Sequence, residues 1–400
     1  MTADSSEPSE IVIRSASEGG ETHVNLMVGK KRVSWLSIIP FTIRIGSAAV
    51  RMDGIGGVGT DAHHRRRGYS RRVLEAAVTH MRSGDAAVSM LYGIPDFYPK
   101  FGYATAGPDH LVLLSDLERD SVLPSGWSVR DFAVSDLPAM QAIYTRSIAQ
   151  SVGAAVRPAE GGVWRHLTGG TEEEEPDACR VVLGPDGLIH GYVWRARWCW
   201  YVKHKLETDY RDALVLGEVM ADDSVAADAV LAACQQWALA ESAHRRIKQV
   251  VLAFPPHGAT AAGARYRSTR FVQNYSACGS SMARVLDVTR LLHALEPELQ
   301  ARLRQARSQF AGALIFETEL GDATLHIVPN AVTVTQGADS NSDALRVNLP
   351  QSELARLALG AFPPGDLLAR LPRPPSEETA MLLENMFPLR CPHMYLPDRY

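Results

Sequence analysis

The stretch Val58-Gly-Thr-Asp-Ala-His-His-Arg-Arg-Arg-Gly-Tyr-Ser70 decides the fold of the N-terminal part of this chain. Residues 55–60 read as a strand interrupted by glycines. Residues 71–81 read as a helix, because Val73, Leu74, Ala77, Val78 and Met81 recur on one face. Between them runs a short basic loop. Gly68 allows the backbone to come close to a ligand. The free N–H groups of a helix N-terminus make an anion site, here suited to a pyrophosphate. Arg65, Arg66 and Arg67 add charge and forked donors for phosphate oxygens. Taken alone, Arg65-x-x-Gly68-x-Ser70 is a weak pattern, since a solvated basic turn has the same composition. Its place at a strand-to-helix junction gives it weight.

Working outward, residues 87–91 form a short apolar strand, followed by Leu91-Tyr-Gly-Ile-Pro-Asp-Phe-Tyr-Pro-Lys-Phe-Gly-Tyr103. Upstream, residues 11–14 and 24–28 are strand candidates. Residues 32–45 are an extended β segment interrupted by Pro40, and Gly46-Ser47 is a hairpin turn into a return strand at 48–52. Residues 1–10 are rich in Ser, Glu and Pro and read as a disordered tail.

Leu123-Pro-Ser-Gly126 marks a boundary. Beyond it, 127–130 reads as a strand and 137–151 as a helix. Strands at 181–183, 191–196 and 213–219 follow, then a helix at 226–240 and a strand at 248–254. The run Glu172 to Glu175 is a solvated loop. A third part opens near Asp287 with a helix at 288–306, punctuated by Glu296-Pro297. Strands at 313–320, 324–329, 331–335 and 345–348 come next, and then a helix at 351–359 that Gly360 stops. The expectation is an α/β (α+β) protein of three domains: 1–124, 125–286 and 287–400.

At 400 residues, 46% hydrophobic and 22% charged, the chain has ordinary globular composition for two or three domains. Its net charge of −4 gives no general pull toward nucleic acid or anionic membrane. Cys179, Cys199, Cys234, Cys278 and Cys391 are scattered without a CxxC pair, which argues against a disulfide framework and a metal site. No secretory signal and no run of about 18 apolar residues is present. A cytoplasmic location, no nucleic-acid partner and no membrane span are expected.

Together, the basic loop and Tyr98-Pro-Lys-Phe-Gly-Tyr103 resemble the GNAT acetyltransferase superfamily, and most of all its enhanced intracellular survival (Eis) branch. That branch joins a GNAT domain, a degenerate second GNAT-like region and a C-terminal sterol carrier protein-like domain. The order of elements fits this plan over nearly the whole chain, so the resemblance implies tandem GNAT-like mixed sheets followed by a carrier-like α+β domain. The third part's match rests on Asn348-Leu-Pro-Gln-Ser-Glu-Leu354 and the ending Tyr395-Leu-Pro-Asp-Arg-Tyr400.

The resemblance implies acetyl-CoA as co-substrate, no metal, and direct attack by a primary amine of aminoglycoside or lysine type. It implies a V-shaped cleft between the strands at 55–60 and 87–91. Backbone groups of Val58, Gly59 and Thr60 would hold the pantetheine and polarise the acetyl carbonyl, and Gly93 would also bind the cofactor. Arg65, Arg66, Arg67, Gly68, Tyr69 and Ser70 would cradle the pyrophosphate. Tyr98 would protonate the leaving thiolate; a phenol near pKa ~10 suits a thiol. The C-terminal carboxylate of Tyr400 would accept the amine proton, although its reference pKa of ~3.5 must be raised by burial. A packed aromatic is the other reading of Tyr98, and a frayed terminus that of Tyr400. His63 and His64 precede the phosphate loop and are weaker base candidates. An oligomer, a hexamer in that branch, is implied by the resemblance alone.

The sequence also departs from the family. The two helices that usually wall the acceptor site have no room between the first two strands, which leaves that side open or covered from elsewhere. Ala221-Asp-Asp-Ser-Val225 is acidic where a second phosphate loop would lie, so no second cofactor site is expected. Tyr192, Trp194, Trp198, Trp200 and Tyr201 fit core packing, with an aromatic wall for a cationic amine as the alternative. Two other functions compete: a non-catalytic acetyl-CoA-binding regulator, and a lipid carrier with a vestigial GNAT half.

Overall fold

β-branched and aromatic residues recur along the chain between Thr22 and Ile45, and that segment holds the longest strand among the described residues. The computed structural model describes residues 9–15, 20–94, 96–169, 177–275, 280–329, 331–340 and 342–400. Residues 1–8 of the acidic tail, the glutamate run at 172–175 and Cys278 lie outside the described residues.

In chain order, β1 (Ser9–Ser15), β2 (Thr22–Val28), β3 (Lys31–Ile45), β4 (Ala48–Thr60), α1 (Tyr69–Ser83), β5 (Val88–Gly93) and β6 (Ala104–Gly107) come first. There follow β7 (Asp109–Leu114), β8 (Ser128–Asp131), α2 (Leu137–Ser147), β9 (Val152–Ala155), α3 (Arg165–Thr168), β10 (Cys179–Leu183) and β11 (Ile189–Trp194). Next are α4 (Glu207–Asp209), β12 (Ala213–Leu216), β13 (Glu218–Ala221), α5 (Ser224–Ser242), β14 (Gln249–Leu252), α6 (Ala259–Ala264) and β15 (Thr269–Asn274). The last run holds β16 (Ser280–Val285), α7 (Val288–Gln305), β17 (Gly312–Glu317), β18 (Ala323–Val328), β19 (Ala331–Gln336) and β20 (Leu345–Asn348). It ends in α8 (Gln351–Leu359), α9 (Pro364–Leu368) and α10 (Glu377–Met386). The fold is mixed α/β with several mixed sheets.

Two compact units contain these elements. One holds residues 1–106, 277–390 and 400; the other holds 107–276 and 391–399. In the first unit the main sheet runs β1-β2-β3-β4-β5-β16-β6. β3 continues unbroken through Pro40, which sits opposite Asp53. No helix separates β1 from β2 among the described residues; the two pair antiparallel over their full length. α1 buries Val73, Leu74, Ala77 and Met81 on this sheet, each large side chain contributing about 1.5–3 kcal/mol.

The β3–β4 turn is tied to α7. Glu298 accepts from both the amide and the hydroxyl of Ser47 at 2.7 Å, and Arg302 Nε donates to the same carboxylate at 2.7 Å. A Cβ at Gly46 would stand 2.1 Å from Glu298 Oε1, and Gly46 has φ +61°, so only glycine fits this turn. α7 runs through Pro297 without ending there. The C-terminal sheet of this unit is ordered β19-β18-β17-β20, with β20 parallel to β17.

In the second unit the strand expected at 213–219 divides at Gly217. β12 pairs in parallel with β14, while β13 pairs with β11 in another sheet. A Cβ at Gly217 would lie 2.6 Å from that of Ala196, so the crossing between sheets needs a residue without a side chain. The sheets are β13-β11-β10-β8 and β12-β14-β7-β15. α5 is buried almost all round through its alanines. Among the described residues, no helix is long and apolar enough to cross a membrane, and no group of three His, Cys, Asp or Glu is placed to hold a metal.

Candidate active site

β4 and β5 pair in parallel from Met52–Val88 to Ile55–Leu91 and then part. Past that point β4 stays on β3, with Gly56 opposite Ser37, Gly59 opposite Trp35 and Thr60 opposite Ser34. β5 stays on β16 through Tyr92 and Gly93. A bulge accompanies the divergence: the β3–β4 register shifts between Trp35 and Ser37, and Gly57 takes φ +58°. Val58 packs on the core below α1. The Ser34 hydroxyl donates to the Gly59 carbonyl at 3.0 Å and lies 2.9 Å from Thr60 Oγ1. A Cβ at Gly59 would stand 2.5 Å from the Trp35 indole. β4 therefore leaves β5 after Ile55, at the start of the segment expected to form one wall of a cleft.

Asp61 shapes the loop that follows. Its carboxylate accepts from the His63 amide at 3.0 Å, lies 2.9 Å from His64 Nδ1 and pairs with Lys31 at 2.9 Å. His64 first, and then Lys31, hold this carboxyl well below the usual range. His63 and His64 thus belong to the loop's internal bonding. Arg65 Nε donates to the Thr60 carbonyl at 3.3 Å, while Arg65, Arg66, Arg67 and Gly68 are exposed.

The backbone then turns through Arg66 (φ +63°) and Gly68 (φ +76°) into Tyr69 and Ser70 of α1. α1 has no side-chain cap and no acidic residue in its first turn. The first amides of a helix have no acceptor within it, and here three arginines precede them. Among the described residues, nothing lies within 4 Å of a Cβ at Gly68, so its side-chain direction is open.

Tyr98 opens a 3-10 turn, Tyr98–Phe101, in the segment that follows β5. It is buried against Phe97 and Tyr103, with ring centroids 5.1 and 6.3 Å away. A Cβ at Gly93 would stand 2.3 Å from the Tyr98 ring. Gly93 is therefore the residue that lets Tyr98 fold back on the end of β5.

Tyr400 is seated on the other face of the parted strands. Its hydroxyl donates to the Met90 carbonyl at 2.8 Å, and its ring stacks on Phe41 at 5.1 Å and meets Tyr92 edge-on at 6.0 Å. A Cβ at Gly54 would lie 2.3 Å from this ring, and one at Gly56 would lie 3.6 Å from the carboxyl carbon. Burial pushes the Tyr400 phenol well above its ordinary value. The terminal residue is a packed element of β4 and β5, not a frayed end.

Sequence reasoning missed the cradle itself: Gly54, Gly56, Phe41 and Tyr92. The available signal was the glycine at alternate positions of one strand, which marks a close approach by another group. It also missed Asp53, whose carboxyl is pushed up to about 6 by burial and then by Asp85.

In the second unit the corresponding helix start is closed. Asp223 caps α5 by accepting from the Val225 and Ala226 amides at 2.9 and 2.8 Å. Trp194 and Tyr192 are fully buried, Tyr201 nearly so, and Trp198 packs on the same core. Trp200 is the exception, 68% exposed.

Residues 12–106 match a family model described as an acetyltransferase (GNAT) domain. No curated protein matches the sequence. Three solved structures share the fold. A probable N-acyltransferase from Enterococcus faecalis V583 is 16% identical, with TM-score 0.71 over 95% of this chain and 89% of its own. A GCN5-related N-acetyltransferase from Anabaena variabilis is 18% identical, with TM-score 0.69 over 94% and 89%. Eis1 from Mycobacterium abscessus is 15% identical, with TM-score 0.62 over 94% and 90%. Residues 12–106 are a GNAT acetyltransferase domain, and that domain supports N-acetyltransferase chemistry, with acetyl-CoA as the co-substrate the fold implies.

Proposed function

We propose that this protein transfers acetyl from acetyl-CoA to a primary amine, of the aminoglycoside or lysine type, by direct attack of the amine on the thioester. The observation that carries the reading is the parting of β4 from β5 beside an uncapped, arginine-flanked helix start.

In this reading the amides at the start of α1, with Arg65, Arg66 and Arg67, bind the pyrophosphate. Backbone groups of Val58, Gly59 and Thr60 hold the pantetheine and aim fixed dipoles at the carbonyl oxygen where charge develops. Gly93 keeps the opposite wall thin enough for Tyr98 to approach. Tyr98 gives its phenolic proton to the departing sulfur and is reprotonated by the second proton that the nitrogen sheds as the amide forms. The Tyr400 carboxylate takes a proton from the ammonium form of the acceptor. We assign the C-terminal part, 287–400, the sterol carrier protein-like plan of the resemblance, in a structural role.

The experiment is Tyr98→Phe. CoA release in the presence of an amine panel should fall about 10²- to 10⁴-fold, with acetyl-CoA affinity by calorimetry unchanged. Full activity in this variant would remove Tyr98 as the acid. Failure of the intact protein to bind acetyl-CoA would remove the whole reading.

A further inference from the structure

Two polar side chains are buried where the turn that carries Tyr98 ends. The turn Tyr98–Phe101 is a single short 3-10 element, and Gly102 closes it with φ +79° and with its amide on the Pro99 carbonyl at 3.0 Å. An element this short has poor hydrogen-bond geometry and cannot satisfy its own last carbonyls. Here they are met by residues far away in sequence. Arg284 of β16 donates through Nη1 to the Phe101 carbonyl. Gln351, the first residue of α8, donates through Nε2 to the Gly102 carbonyl at 2.6 Å. Arg284 and Gln351 are 7% and 3% exposed. Both belong, with the turn, to the first unit.

The Gln351 amide is used at both ends. Its Oε1 accepts from the Val285 amide at 2.7 Å, while its own backbone amide donates to Glu319 Oε2 at 3.0 Å. One planar side chain thus joins the start of α8, the end of β16 and the end of the turn. A Cβ at Gly102 would stand 2.9 Å from Gln351 Nε2 and 3.4 Å from Arg284 Nη1, so a glycine is what lets both donors come close. Further along α8, Arg356 Nε donates to the Thr105 carbonyl of β6 at 3.2 Å. The Tyr103 amide donates to the Tyr98 carbonyl at 3.3 Å, and the Tyr103 hydroxyl lies 2.7 Å from Ser89 Oγ of β5.

Stability alone does not call for this arrangement. A guanidinium buried against carbonyls costs free energy that an apolar side chain of similar volume would not. What the pair supplies is geometry. The carbonyls of Phe101 and Gly102 are tied to β16, and β16 is paired with β5 from Val285–Val88 to Ser280–Gly93. Tyr98, three residues before Phe101, is therefore referred to the strand that forms one side of the parting.

We propose that Gln351, together with Arg284, is a positioning residue that holds Tyr98 by fixing the end of its turn. The inference rests on the reading of Tyr98 as the acid. It gives the segment Asn348–Leu354 a part in the reaction without contact with either substrate. A displacement of about 1 Å at a reacting group can cost about 10² in rate, which is the effect a released turn should produce.

The test is a cycle of three variants against the intact chain: Gln351→Met, Tyr98→Phe, and both together. Gln351→Met keeps the length of the side chain and removes its donor and acceptor. With the best acceptor of the amine panel it should lower kcat about 10²-fold, and by no more than Tyr98→Phe does, with acetyl-CoA Kd unchanged within twofold. In the Tyr98→Phe background it should cost no further rate, because the proton it serves to place is already gone. If Tyr98→Phe is slow and Gln351→Met is not, the positioning role is overturned and the acid survives. An equal loss from Gln351→Met with and without the Tyr98 hydroxyl overturns it too, since the glutamine would then act on the fold at large. If Tyr98→Phe keeps full activity, the acid reading itself falls. Should Gln351→Met fail to fold, Arg284→Met, which removes a buried charge and the bond to Phe101, is measured by the same criteria.

Discussion

The Tyr400 hydroxyl donates to the Met90 carbonyl over 2.8 Å, so the last side chain of the protein is bonded to the strand that ends in Gly93 and leads to Tyr98. Both residues with proposed proton-transfer roles are therefore referred to one strand, β5, and their placement depends on glycines in β4 and β5.

Gly54→Ala tests that dependence. The new methyl would stand 2.3 Å from the Tyr400 ring. A terminal side chain can leave more easily than a strand can bend, so Tyr400 should be displaced while the sheet stays folded. Overpacking of about 1–3 kcal/mol is then largely relieved. Thermal melts should show a drop of only a few degrees (about 4 °C per kcal/mol at most for a chain of this size). Carboxypeptidase should release Tyr400 faster, and acetyl transfer should fall about 10²-fold. Unchanged protection of Tyr400 would refute the argument.

The arginine loop should act by charge. In the double variant Arg67→Glu, Gly68→Asp, both positions are exposed and a Cβ at 68 meets nothing. The left-handed backbone at 68 costs an aspartate at most about 1–2 kcal/mol. Calorimetry should show acetyl-CoA binding lost in a protein that still melts cooperatively. In the intact protein, affinity should weaken as salt rises from 0.05 to 0.5 M, because exposed charges are screened. Salt-independent affinity would place the phosphates elsewhere.

Asp53 supplies a pH signature. Its carboxyl is pushed up to about 6 from 3.8 by burial and then by Asp85. Between those values the folded protein holds a proton that the unfolded chain releases, so this group's contribution to stability is lost as pH rises from about 4 to 6. Asp53→Asn has no such loss. Its Tm relative to the intact protein should rise across that window and then level off. A pH-independent difference between the two melting curves would reject the assignment.

The second unit should fail in acid for the opposite reason. Burial lowers His110 to about 4 and holds His393 well below its ordinary value. Both stay neutral when folded, while the unfolded chain takes up protons below about pH 6.5. Stability is then lost as pH falls, with a slope of about 1.4 kcal/mol per pH unit for each histidine. Urea titrations between pH 7.5 and 5 should show this slope, and His110→Gln should roughly halve it. An unchanged slope in the variant would mean that other groups take up the protons.

Local pattern made much of this legible. The apolar face of Val73, Leu74, Ala77 and Met81 gave α1, the Gly46-Ser47 turn gave the β3–β4 hairpin, and Gly360 marked the end of α8 where a left-handed cap occurs. The basic loop and the helix start after it were readable for the same reason, since both are built from contiguous backbone.

Partners distant in sequence were not legible. β16 enters the first sheet between β5 and β6 nearly 190 residues after β5, and nothing in Ser280–Val285 names its neighbours. The seat of Tyr400 is made by Phe41, Gly54, Met90 and Tyr92, and the brace on the Tyr98 turn by Arg284 and Gln351. Sequence by itself determined α1, the β3–β4 hairpin, the end of α8 and the basic turn before α1, because hydrogen bonding and side-chain periodicity act within a few residues. Only the tertiary structure decided which carboxylate ends beside the parted strands, because that depends on burial and hydrogen bonding between segments with no local signal for each other.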